Sequence, residues 1–345
     1  MKKDLLVWAF CLVCALPPSG RGQEALMEEG LAARAKVVVV QDPRATAAFE
    51  PQPSVVQDMM TRGILKFTGK ENVVEAWRAI VSTQDVVGIK VYSLPGPASG
   101  TRPAVVIAVI KGLLATGLPS SNIIIWDRQL ADLRAAGFDE VAQHYDVRLA
   151  GAANRGYDEK AFYDNEFMGN LTAGDLEFDT MRIRTGRKSH VSKLVTTDMT
   201  KIITVTPLLN HNTAGVTGNL YSLAMGSVDN ELRFESQPAR LARAVPEIYA
   251  LTNLSDHVVL SITDALIGQY QGEHLSALHY STPVNQIWIS KDPVALDVLA
   301  IQELDRERAA RQMTGEDPNM ELYHNASILE LGVSAPAQIH IELVK

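Results

Sequence analysis

Residues 207–226 read PLLNHNTAGVTGNLYSLAMG. Asn210, His211, Asn212, Thr213, Gly215, Thr217 and Gly218 crowd an imidazole, amides, hydroxyls and two glycines into nine positions. Such a mixture suits a ligand site. Glycine allows close backbone approach, and a turn opening a helix points N–H groups at an anion. Thr213 is placed to cap the helix that follows. His211 can act as a general base, a metal ligand or a donor to a substrate oxygen. A plainer reading stands beside this one: a capped turn whose histidine satisfies a buried carbonyl.

A second set consists of carboxylates that follow apolar runs. Asp127 and Asp264 come at the ends of NIIIW and VVLSIT, Asp292 follows QIWISK, and Asp297 lies a turn further on. Oxygen ligands with one histidine suit a divalent metal ion. The spacing matches neither HExxH nor an EF-hand loop. Asp292 before Pro293 also fits a helix N-cap, and Asp297 near a helix start is favoured by the helix dipole. Lys90 sits inside the apolar run DVVGIKVY, and buried lysines are rarely unpaired. It reads as a partner for one of the aspartates, as a cation for a bound anion, or as a side chain leaving the strand end for solvent. Arg128, directly after Asp127, joins the ligand-binding set. Glu273, His274 and His279 give the 271–279 loop metal-like content at irregular spacing, and it reads as a surface loop.

The elements that must position these groups alternate along the chain. Apolar, β-branched runs at Lys36–Gln41, Asp85–Tyr92, Asn122–Trp126, Lys201–Val205, Val258–Ile262, Gln286–Ser290 and Ile339–Val344 read as strands. Helical patterns cover Val55–Phe67, Arg102–Thr116, Leu130–Ala136, Ala239–Leu254 and Val294–Gln312. This alternation predicts an α/β fold with a mostly parallel sheet flanked by helices. Right-handed crossovers would then gather Lys90, Asp127, Arg128 and the 210–218 stretch at one sheet edge. Gly151–His190 is polar and ends in RIRTGRKSH, which predicts an inserted hairpin or lid. Its cations Arg182, Arg184, Arg187 and Lys188 either face an anion or protect an edge by charge.

The chain of 345 residues carries a formal charge of −8, which is no electrostatic footprint for nucleic acid. Lys2 and Lys3, an apolar run from Leu5 to Leu16, then Pro17, Pro18 and small residues follow the order of a secretory signal. Residues 1–22 are therefore expected to be removed. Residues 23–345 are left as one α/β domain with no membrane span, exported to the periplasm or the extracellular space. Both cysteines, Cys11 and Cys14, lie in that leader, so no disulfide and no cysteine-held iron–sulfur cluster is expected after it.

Five fragments, in order, resemble a known family: VGIKV (87–91), RPAVVIAVIKGLLATGLPSSNIIIWDR (102–128), HNTAGVTGNL (211–220), ITDALIG (262–268) and KDPVALD (291–297). Together they are similar to the bacterial and archaeal domain-of-unknown-function family 362. The resemblance implies an α/β fold, often with an export signal, and an activity that is not established. Some relatives carry iron–sulfur motifs, which this chain lacks. Relatives often have cysteine-asparagine where this chain has Tyr92-Ser93, and lysine-asparagine where it has Tyr221-Ser222. His211, Gly215, Thr217 and Gly218 match the family pattern.

The reading that follows is an exported protein binding a small anionic ligand, with a divalent metal as its candidate cofactor. Its site would be built from Lys90, Arg128, Asn212, Thr213, Gly215, Thr217 and Gly218, with His211 as the catalytic candidate and Asp127, Asp264 and Asp292 as metal ligands. The alternative is a non-enzymatic scaffold or partner-binding subunit of an envelope or redox assembly. The sequence names no protein partner.

Overall fold

The structure, a computed structural model, describes residues 35–170, 185–235, 237–273, 275–313 and 319–345. The expected leader, Arg182, Arg184 and His274 lie outside the described residues. The strands are β1 (Ala35–Gln41), β2 (Thr46–Ala47), β3 (Glu50–Pro51), β4 (Val87–Val91), β5 (Ile123–Asp127), β6 (Arg148–Gly151), β7 (Tyr157–Asn170), β8 (Thr185–Ser192), β9 (Lys201–His211), β10 (Gly215–Val216), β11 (Val258–Gln269), β12 (Ser281–Ser290) and β13 (Ile339–Val344). The main sheet runs β13-β1-β12-β11-β9-β4-β5-β6, with β10 added to β9.

Neighbours along this order are parallel except where β12 meets β1 and β11. A mixed, mostly parallel sheet between helices is the expected α/β architecture. The valine and isoleucine runs explain it, because a strand covered on both faces needs apolar side chains on both. Val87, Ile89, Val91, Ile123, Ile125, Ile203 and Val205 pack on one face under the Pro53–Thr68 and Pro103–Ala115 helices. Ile124, Trp126, Ile202 and Trp288 pack on the other, with the helices Asn219–Ser227, Pro238–Tyr249 and Pro293–Ala310. Each such buried side chain contributes roughly 1.5–3 kcal/mol of transfer free energy. Prolines at the first helical positions, Pro53, Pro103 and Pro293, start three of these helices where a missing N–H has no intrahelical partner.

The chain order contains a switch. From β4 it moves through β5 and β6 to one edge, then returns to β9 on the other side of β4 and continues to β11. Where two parallel strands diverge in this way, their carboxyl ends leave a crevice between the departing loops. That crevice lies beyond Val91 of β4 and His211 of β9. Strand β9 runs six residues past the Lys201–Val205 stretch that signals it, so Pro207–His211 continues the strand.

Strands β7 and β8 pair as a separate antiparallel ribbon. Arg233 ties it to the body: Nε donates to Ser189 Oγ at 3.1 Å, and Nη1 donates to Asn165 Oδ1 at 2.8 Å and Phe167 O at 2.6 Å. The two described cations of the predicted basic cluster are engaged within the ribbon. Arg187 meets Asp164 and the Asn165 carbonyl, and Lys188 lies 3.9 Å from the centre of the Phe162 ring. Among the described residues, no helix is long and apolar enough to cross a membrane.

Candidate functional site

Lys90 is the charge at the base of the crevice. It alternates with Ile89 and Val91, so its side chain leaves the opposite face of β4 from theirs, toward the Asn219–Ser227 helix. Its ammonium is fully buried and donates to Asp127 Oδ1 at 2.8 Å, Ser222 Oγ at 3.0 Å and Val91 O at 2.7 Å. All three ammonium protons therefore have acceptors. Gly226 makes the room, since a Cβ there would sit 2.6 Å from Lys90 Cε. Burial pulls the Lys90 pKa down, and the Asp127 charge opposes that. Asp127 is as well satisfied: Oδ1 also accepts from Arg128 N, and Oδ2 accepts from Ser93 N and Ser93 Oγ at 2.8 and 2.7 Å.

The glycine turn is filled from within. Asp297, reaching across from the Pro293–Ala310 helix, accepts from Asn219 N at 2.7 Å and from Leu220 N at 2.9 Å. Asn219 is locked further by its side-chain bonds to Asp297 and Thr204. The acceptor at this helix start is thus the chain's own carboxyl group. The cap is Asp297 rather than Thr213, whose N–H donates instead to His211 Nδ1. Ala214 N donates to the same nitrogen, at 3.1 Å, and Thr217 N donates to Leu209 O. Gly215 pairs with His211 in the β9–β10 ladder. Asn212 is exposed, and the buried Thr217 hydroxyl has no partner among the described residues.

Two backbone amides donating to Nδ1 leave the His211 proton on Nε2 in the neutral ring. The imidazole packs on Tyr221, with ring centres 4.4 Å apart. Tyr221 donates its hydroxyl to Glu235 Oε1 at 2.8 Å. Tyr92 shares this space. Burial pushes its phenol pKa well up, and Asp127, Glu235, Asp132 and Glu273 push it further. Burial and then Glu235 do the same to Tyr221. Both phenols therefore stay protonated and can donate. Thr101 fixes Tyr92: its Oγ1 accepts from Tyr92 N and donates to Val205 O, while its N–H donates to Tyr92 O. Arg128 pairs with Glu231 on the segment that carries Glu235.

The crevice therefore collects Tyr92, Arg128, His211, Tyr221 and Glu235 over the Lys90–Asp127 pair. Tyr92, Tyr221, Glu231 and Glu235 carry no motif in the sequence. One signal was available. Tyr92-Ser93 and Tyr221-Ser222 are two of the places where the chain departs from the resembled family's pattern, and they meet in space. The tyrosines share the crevice, and the two serines hold opposite partners of one ion pair, Ser93 on Asp127 and Ser222 on Lys90.

The proposed metal ligands do not converge. Asp264 is fully buried on the other face of the sheet, where it accepts from Arg102 N at 2.9 Å and pairs with the Arg102 guanidinium at 3.2 Å. Asp292 lies at the opposite sheet edge, because β12 runs antiparallel and ends there. It caps its helix through Ala295 N at 2.8 Å and also accepts from Val333 N. Among the described residues, no group of three or more histidine, cysteine, aspartate or glutamate side chains is placed to hold a metal ion. His279 is exposed, away from any such group.

Comparison with known proteins agrees with the fragments read from the sequence. The family model described as "Domain of unknown function (DUF362)" matches residues 87–302, more than half of the chain. The protein belongs to that family. No curated protein matches it. Among solved structures, a crystal structure of a Thermotoga maritima protein is similar, at 11% identity and a TM-score of 0.41. The match covers 76% of this chain and spans 60% of that one.

Proposed function

We propose that this is an exported α/β protein that binds a small polar ligand, neutral or positively charged, in the crevice between the carboxyl ends of β4 and β9. The carrying observation is the set of groups whose charges act on one another there. Lys90 and Arg128 are its cations, against Asp127, Asp132, Glu231, Glu235 and Glu273. Phenol and imidazole donors stand among these carboxylates, as recognition of ligand hydroxyl or amine groups requires. An anionic ligand, expected from the glycine turn, would meet this negative field, and Asp297 already occupies the turn's amides. Support for export comes from the charged, apolar and small-residue order of residues 1–22.

A thermal-shift screen of small polar compounds sorted by charge tests the reading. Neutral and cationic compounds should raise Tm, and Tyr92→Phe and Glu235→Gln should each remove the effect. Stabilisation by carboxylates or phosphates alone would contradict it. Sequencing the N-terminus of the protein from its native source tests export, which predicts a start near residue 23.

A further inference from the structure

Among the described residues, strand β13 is one lateral edge of the main sheet, paired to β1 on one side only. Its sequence, IHIELV, contains no lysine or proline, the residues that commonly block an open edge. Ile341 and Leu343 stand 49% and 51% exposed on the face of their partners Val37 and Val39. On the opposite face, Glu342 lies in a cleft of about 550 Å³ with Lys36, Arg62, Lys66 and Lys70. Lys36 and Lys66 both reach one Glu342 oxygen, at 3.0 and 3.5 Å, so two ammonium groups share one carboxylate. Asp42 and Asp58 meet Arg62, and Lys70 is exposed at the turn beyond the helix end. The cleft thus carries surplus positive charge in a chain of net charge −8.

We propose that β13 docks an extended acidic peptide segment of a partner protein by strand addition. Main-chain bonds would form along the open edge. Alternate apolar side chains would cover Ile341 and Leu343, and the intervening aspartates or glutamates would enter the lysine cleft. Three features fit this occupant together: the open edge, the apolar stripe and the cationic cleft on the other face. A second copy fits less well, because two-fold pairing of β13 would set one basic cleft beside the other.

Fluorescence anisotropy with the full chain and two labelled eight-residue probes, one alternating valine and glutamate and one alternating valine and lysine, tests the proposal. The acidic probe should bind, and several-fold more weakly when salt is raised from about 50 to 300 mM. Lys70→Glu and Leu343→Ser should each weaken it by about tenfold with unchanged melting curves. Lys70 lies outside the strand and has no ion pair among the described residues, so its variant separates recognition from folding. Equal binding of both probes, binding untouched by either variant, or no binding would overturn the proposal. A dimer by light scattering that Leu343→Asp dissolves would assign the edge to a second copy instead.

Discussion

Gly218 and Asp297 occupy one space. A Cβ on residue 218 would stand 2.5 Å from the Asp297 carboxyl carbon, and Gly218 itself holds φ at +43°. The carboxylate is there because it caps the helix that begins at Asn219. Two fragments far apart in sequence, HNTAGVTGNL and KDPVALD, are therefore halves of one contact.

Gly218→Ala should be among the most damaging small substitutions in the chain. It meets both a backbone conformation that suits glycine and a buried carboxylate that has nowhere to move. A loss of about 2–4 kcal/mol is expected in urea unfolding, from strain together with a lost cap. Ala224→Gly, in the same helix, should cost only about 1 kcal/mol.

Asp297 gives this contact a pH dependence. Burial raises its pKa from 3.8 to about 7, against the pull of the Asn219 and Leu220 amides. The folded chain then holds this proton more tightly than the unfolded chain. The stability that results is complete below about pH 4 and is lost as pH rises through about 7, at up to about 1.4 kcal/mol per pH unit. Unfolding measured from pH 5 to 8 should show that decline. Asp297→Asn should be less stable throughout, since its amide opposes a backbone donor, and should show a flatter slope over the same range.

Lys90 and Asp127 make a different prediction. Each satisfies a buried charge, so removing one strands the other. Lys90→Met should cost about 3–5 kcal/mol, and Lys90→Met with Asp127→Asn should cost less than the single change. A double-mutant cycle by urea unfolding checks this. Additive losses would mean that the two groups act separately.

Most of the sheet was legible because its strands are buried on both faces and so read as continuous apolar runs. The exposed edge strand Ile339–Val344 also has the bounds expected, and Pro53–Thr68, Pro103–Ala115 and Pro293–Ala310 start at prolines the sequence displays. Strand direction was not legible. Asp292 follows an apolar run just as Asp127 ends one, yet β12 is reversed and carries Asp292 to the far edge. Side-chain partnership was equally hidden. Asp297 and Gly218 look like a helix-start acid and a ligand-binding glycine until the fold joins them. Tyr92 and Tyr221 look like ordinary strand-end and helix residues until β4 and β9 become neighbours.

The claim that the crevice between β4 and β9 binds the ligand is tested most directly by the carbon-13 spectrum of ring-labelled tyrosines. The chain has nine tyrosines, and Tyr92→Phe and Tyr221→Phe assign the two in the crevice. On titration with the strongest stabiliser from the charge-sorted screen, the Tyr92 and Tyr221 phenol signals should move together and saturate at one affinity. Movement of other tyrosines while these two stay fixed would place the ligand elsewhere and contradict the account.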